Sequence, residues 1–144
     1  MSRIAEVTAQ IVSALESITP ANGYATDIKG VYPDAEIAPD RAALPCALLT
    51  VDSDTVTEMV GVQASRERTY NIEVVFKRGA TQTDLDTAHI DVLRALGFGK
   101  YPFERAVNGI ITDQQSAEFE FASDGNNYTS ATISVTVMYV ENYG

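Results

Sequence analysis

Ala131, Ile133, Val135, Val137 and Tyr139 occupy alternate positions, separated by Thr132, Ser134, Thr136 and Met138. A period of two sends every second side chain to one face of an extended chain. The segment therefore reads as a strand with one apolar face and one mostly polar face. Such a strand constrains everything around it, because its backbone groups need paired neighbours and its apolar face needs a cover. Two further segments offer the pairing. Arg66, Arg68, Tyr70, Ile72, Val74 and Phe76 alternate with Glu67, Thr69, Asn71, Glu73, Val75 and Lys77, and the first set turns apolar from Tyr70 onward. Cys46-Ala-Leu-Leu-Thr-Val51 is a short apolar run between Pro45 and Asp52, the pattern of a strand buried on both faces.

Two helices supply the cover. Ile4, Val7, Ile11, Leu15 and Ile18 recur at helical spacing, with Ala14 on the same face; Ser2 is a candidate N-cap and Pro20 a stop. Leu85, Ala88, Val92, Leu93 and Leu96 make a second apolar face. Thr83 is its candidate N-cap, Asp84 and Asp86 suit the positive end of the helix dipole, and Gly97 suits the left-handed residue after the last turn. Between them, Gly23, Gly30, Pro33 and Pro39 mark a loop-rich stretch with room for a short strand within Tyr24–Tyr32. Residues 98–116 look irregular apart from a short strand at Gly109-Ile-Ile after an Asn108-Gly109 turn. Phe119 and Phe121 alternate with Glu118 and Glu120, and Ser123–Asn127 is a turn leading into the last strand.

The stretch from Asp52 to Ser65 has no core periodicity. Its simplest geometry is a long antiparallel hairpin with its tip at about Thr57–Ser65. The sum is one α+β domain spanning 1–144: a mostly antiparallel β-sheet, two α-helices packed on one face and a long protruding β-hairpin.

Composition narrows the function classes. Lys+Arg number 10 against 20 Asp+Glu, a net charge of −10, so the clustered cations of a general nucleic-acid binder are missing. One Cys excludes an intrachain disulfide and one His excludes a multi-histidine metal site. The first residues carry Glu6 and Glu16 without a continuous apolar run, and no stretch is apolar enough for a membrane span. The expectation is a soluble cytoplasmic chain with Cys46 as a thiol in the core.

Chemistry-bearing clusters are few. Asp84, Asp86, His89 and Asp91 crowd one helix, and Asp86 with His89 could share a metal. The structural account is stronger: dipole-favoured acids, and His89 as a satisfied core residue beside Leu85, Val92 and Leu96. Asp52-Ser-Asp54 reads as a solvated turn after a strand. Gly97-Phe-Gly99-Lys100 lacks the glycine spacing of a phosphate loop. No catalytic, cofactor or metal residue is assigned. What stands out is apolar surface: Met59, Val60 and Val62 at the hairpin tip, and Ile90 between Asp86 and Arg94, off the apolar helix face. An apolar tip either meets a partner or folds back on its own domain; partner contact is the reading for these four residues.

The layout resembles the tail-terminator family of long-tailed bacteriophages, the minor tail protein U-like and tail-completion proteins. The carriers are the opening amphipathic helix, Gly23-Tyr-Ala-Thr-Asp-Ile-Lys-Gly-Val-Tyr32, Leu44-Pro-Cys-Ala-Leu-Leu-Thr-Val51 and Arg68-Tyr-Asn-Ile-Glu-Val-Val-Phe76, followed by Asp91-Val-Leu-Arg-Ala-Leu-Gly97 and Met138-Tyr-Val140. These are patterns of element order and hydropathy, and no catalytic residues come with them. The resemblance implies a virion structural protein that forms a homohexameric ring. Such a ring docks on the tail tube protein, stops elongation and joins a head-tail connector or neck protein. DNA passes through its lumen without specific binding, and no cofactor or membrane is involved. It would sit at the head-proximal end of the tail, after assembly in the host cytoplasm. A head-side connector, a tail-tube subunit, or a small enzyme or ligand-binding α+β domain are the alternatives.

Overall fold

A computed structural model describes residues 2–101, 110–125 and 127–144. Its elements are α1 (Arg3–Glu16), a 3-10 turn (Pro20–Asn22), β1 (Val31–Pro33), β2 (Cys46–Val60), β3 (Gln63–Lys77), α2 (Gln82–Leu96), β4 (Ile110–Glu120) and β5 (Tyr128–Asn142). The five described strands form one sheet in the order β1-β2-β3-β5-β4. All neighbours are antiparallel except β1 and β2. The fold is α+β, as the periodicities predict.

Helix α1 starts where Ser2 Oγ accepts from the Ala5 amide at 3.2 Å, and it buries Val7, Ile11, Ala14 and Leu15. Helix α2 starts two residues earlier than Thr83 suggests. Thr81 Oγ1 accepts from Asp84 N at 3.3 Å while Asp84 Oδ2 accepts from Thr81 N at 2.9 Å. That reciprocal pair satisfies two donors at once; Thr83 has Asp86 at the same spacing, but Asp86 accepts from Gln82 Nε2 at 2.8 Å instead. Gly97 closes the helix at φ 107°.

The helices cover one side of the sheet. Val7, Ile11, Leu15, Leu85, Val92 and Leu96 meet Leu49, Tyr70, Ile72, Val74, Ile133 and Val135 in the main core. Each such burial contributes about 1.5–3 kcal/mol. On the opposite side, Cys46, Leu48 and Val75 form a smaller cluster under Tyr32, Ala35, Ala38 and Leu44. Cys46–Leu49 are thus buried on both faces, as expected, but β2 then runs on into solvent and Val51 is exposed.

The hairpin differs from its predicted form. Pairing between β2 and β3 continues to Val60↔Gln63, so Thr57–Ser65 is mostly strand rather than loop. The tip is the two-residue turn Gly61-Val62, with Gly61 at φ +61°, where a side chain would be strained. Strand β5 follows β3 to Gln63↔Asn142, and the Tyr143 amide donates to Val62 O at 2.8 Å. The projection is therefore three strands wide. Strand β4 is also longer than the expected Gly109-Ile-Ile; it takes in residues read as irregular, with a register shift between Ile111 and Gln115. The predicted Asn108-Gly109 turn, and Asn126 of the Ser123–Asn127 turn, lie outside the described residues.

Candidate interaction surface

The acid-rich stretch of α2 is divided three ways by its own helix. Asp86 Oδ1 accepts from Gln82 Nε2 at 2.8 Å. His89 is half-buried and turns its ring edge-on to Phe119 of β4, centroids 6.2 Å apart; its Nε2 has no hydrogen-bond partner among the described residues. The expectation of a satisfied core histidine is met only in its apolar contacts. Asp91 is buried on the other flank, where Oδ2 accepts from Ala25 N at 3.1 Å and Thr26 N at 2.8 Å. Arg94 pairs with Asp91 at 3.3 Å and lies over the Tyr24 ring. Among the described residues, no group of three or more His, Cys, Asp or Glu side chains could hold a metal ion. Burial, and then the Glu73 carboxylate, push the Cys46 thiol up, away from nucleophilic behaviour.

Asp54 is not in a solvated turn. It lies within β2 on the helix side of the sheet, and its carboxylate accepts from Arg66 Nε at 2.6 Å, Arg68 Nε at 2.8 Å and Tyr139 OH at 2.5 Å. Burial pushes this carboxyl up, but the hydrogen bonds from Tyr139, Arg68 and Arg66 outweigh it and hold the pKa below the usual carboxylate value. Burial, reinforced by the bond to Asp54, pushes the Tyr139 phenol up to about 12. The cluster joins three strands on the helix side of the sheet.

The side of the sheet away from the helices is polar beyond the small cluster. It presents Thr50, Thr69, Asn71, Ser116, Thr132, Ser134 and Thr136, with Glu67, Glu73 and Glu118 among them. Thr69 and Thr136 bond across strands at 3.0 Å, and Ser134 Oγ donates to Asn71 Oδ1 at 2.6 Å. The one strand cation sharing this side among the described residues is Lys77, at the far end of β3.

Two strand edges are open among the described residues. Strand β1 pairs only with Ala47–Leu49, so β2 from Thr50 to Val60 has β3 on one side and nothing on the other. Strand β4 is the opposite edge. The four sequence-predicted contact residues are all exposed: Met59 54%, Val60 67%, Val62 58% and Ile90 51%. The tip residues do not fold back onto the domain, and Ile90 lies apart from them on α2. Sequence reading missed Val51, Val56, Phe119, Val140 and Tyr143, which are exposed too. Val51 and Phe119 fall in strand patterns that read as core, and only the ends of neighbouring elements reveal what is left uncovered.

No protein-family model matches the chain, and no curated protein matches it.

Proposed function

We propose that this chain is a structural subunit of a bacteriophage tail, a tail terminator whose six copies close into a ring. The ring caps the tail tube, halts its elongation and offers its other face to the head-side connector. The observation that carries this reading is that, among the described residues, β2 beyond Thr50 and β4 are the two outer strands of one sheet. Strand β4 runs opposite to β2, so the β4 edge of one copy can meet the β2 edge of the next in the antiparallel sense without turning over. A contact between two different patches of the same chain is heterologous, and heterologous contacts make a ring when the rotation between copies closes. Long open edges are a hazard in a monomer, and pairing removes it.

The polar side of the sheet fits the lumen of such a ring. Its Glu67, Glu73 and Glu118 carboxylates would repel a phosphate backbone and let DNA slide through. The sixfold number and the tail-end location rest on the family resemblance.

Light scattering on the purified protein tests the reading. A discrete species of six times the 15.6 kDa chain mass is the expected result. Open-ended tubes would move the chain to the tube-subunit role, and a monomer at every concentration would overturn the ring.

A further inference from the structure

Each open edge carries an apolar stripe on the helix side of the sheet. Along β2 its apolar members are Val51, Val56 and Met59, which face the same way as their partners Tyr70, Arg66 and Ala64; Asp54, neutralised by Arg66 and Arg68, lies between Val51 and Val56 on that face. Val51 is 44% exposed and Val56 47%, so neither is spent on the protein's own core. Beside β4 the stripe is Phe119 and Ile90. Phe119 pairs with Ala131 of the main core, which fixes its direction toward the helices, and its ring meets His89 of α2. Ile90 and Asp91 straddle the solvent line of α2 at 100° per residue. Asp91 turns toward Ala25 and Thr26, so Ile90 turns toward the flank where His89 meets β4.

Side chains on one face of a strand stay on that face when another strand pairs beside it. Both stripes lie on the helix side, so joining the two edges brings them together. On the other side the β2 edge carries Thr50, Ser53, Thr55 and Glu58 and the β4 edge Ser116, Glu118 and Glu120, so the apolar residues of the helix side supply the attraction of the joint. The two edges face away from each other within one molecule, and a second copy supplies the complement of both.

Resting on the ring reading above, we infer that Val51, Val56 and Met59 of one copy pack against Phe119 and Ile90 of the next, locking an antiparallel β2–β4 joint between subunits. The occupant of this surface is a second copy of the chain. Val60 and Val62, at the end of the projection, stand outside the lock and remain free for a different contact.

The test uses two full-length variants, Val56→Lys and Ile90→Glu, with circular dichroism to check that each folds. Both positions are about half exposed, so the charges are tolerated in the monomer. Each variant alone should associate at least roughly tenfold more weakly than wild type by light scattering. An equal mixture should restore the ring. In alternating copies the new ammonium faces the new carboxylate at one joint, and the unaltered stripes face each other at the next. Rings in both single variants, with wild type also forming rings, would overturn the lock and leave the ring reading standing. Loss of rings without rescue in the mixture would overturn the pairing of these two stripes. A wild-type chain that stays monomeric would overturn the lock and the ring reading together.

Discussion

The carboxylate of Asp54 gathers two guanidinium groups and a phenol from two other strands, on the helix side of the sheet. Removing it would leave Arg66, Arg68 and Tyr139 with unmet donors in a partly buried site. Asp54→Ala should destabilise the fold by about 1–2 kcal/mol once solvent screening of the cluster is allowed for, as read by denaturant titration. The pH dependence has a defined sign. The folded-state pKa of Asp54 is lowered, so its contribution is fully present above about pH 4 and is lost as pH falls through the lowered value. The Tyr139 pKa is raised to about 12, so its contribution is present below about pH 10 and is lost as pH rises through that value. Stability of the wild type should therefore fall at both ends, and Asp54→Ala should flatten the acid limb and lessen the alkaline one, which burial of Tyr139 chiefly sets. Identical pH profiles for the two proteins would contradict this assignment. In the sequence Asp54 looked like half of a turn, because the partners that redefine it lie 12, 14 and 85 residues away.

At the scale of elements, α2 is tied to the loop before β1 through Asp91. Its buried carboxylate satisfies the Ala25 and Thr26 amides, which have no other acceptor among the described residues. Asp91→Ala should cost about 2–3 kcal/mol, since a buried unsatisfied donor costs about 1–3 kcal/mol and solvent can repair part of the loss. Hydrogen exchange at Ala25 and Thr26 should accelerate more than exchange at the β3 amides; uniform acceleration would mean global destabilisation instead. Strand β2 shows why its outer half was illegible. Val51, Asp54, Val56 and Met59 share a face at spacings of three, two and three, because the register shifts after Val51 and again after Val56. A bulge adds a residue and breaks the period of two on which sequence reading depends. β5 keeps an unbroken register from Lys77↔Tyr128 to Gln63↔Asn142, and its alternation was plain. The start of α2 was misplaced for a different reason: Thr81 and Thr83 are both competent caps, and only the reciprocal bond to Asp84 selects the first.

Over the whole molecule, a net charge of −10 on a small chain opposes self-association. Added salt screens repulsion between copies, while the apolar stripes and backbone pairing of the proposed joint are little affected by it. Ring formation should therefore strengthen as ionic strength rises from about 0.01 to 0.15 M, where the Debye length falls from about 30 to 8 Å. Weakening over that range would point to a joint held by opposite charges, and to a surface other than the two edges. What the sequence determined by itself was the order of the main elements, the buried faces of α1, α2, β3 and β5, and the α+β class. Those follow from local periodicity and from caps and turns within a few residues, so the information is contiguous in the chain. Tertiary structure alone decided the strand order β1-β2-β3-β5-β4, the stopping point of β1 and the gathering of Asp54, Arg66, Arg68 and Tyr139. It also decided which apolar residues remain uncovered. Exposure depends on where neighbouring elements end: Val51 has the look of a core residue in sequence and lies on an open edge because β1 pairs no further than Leu49.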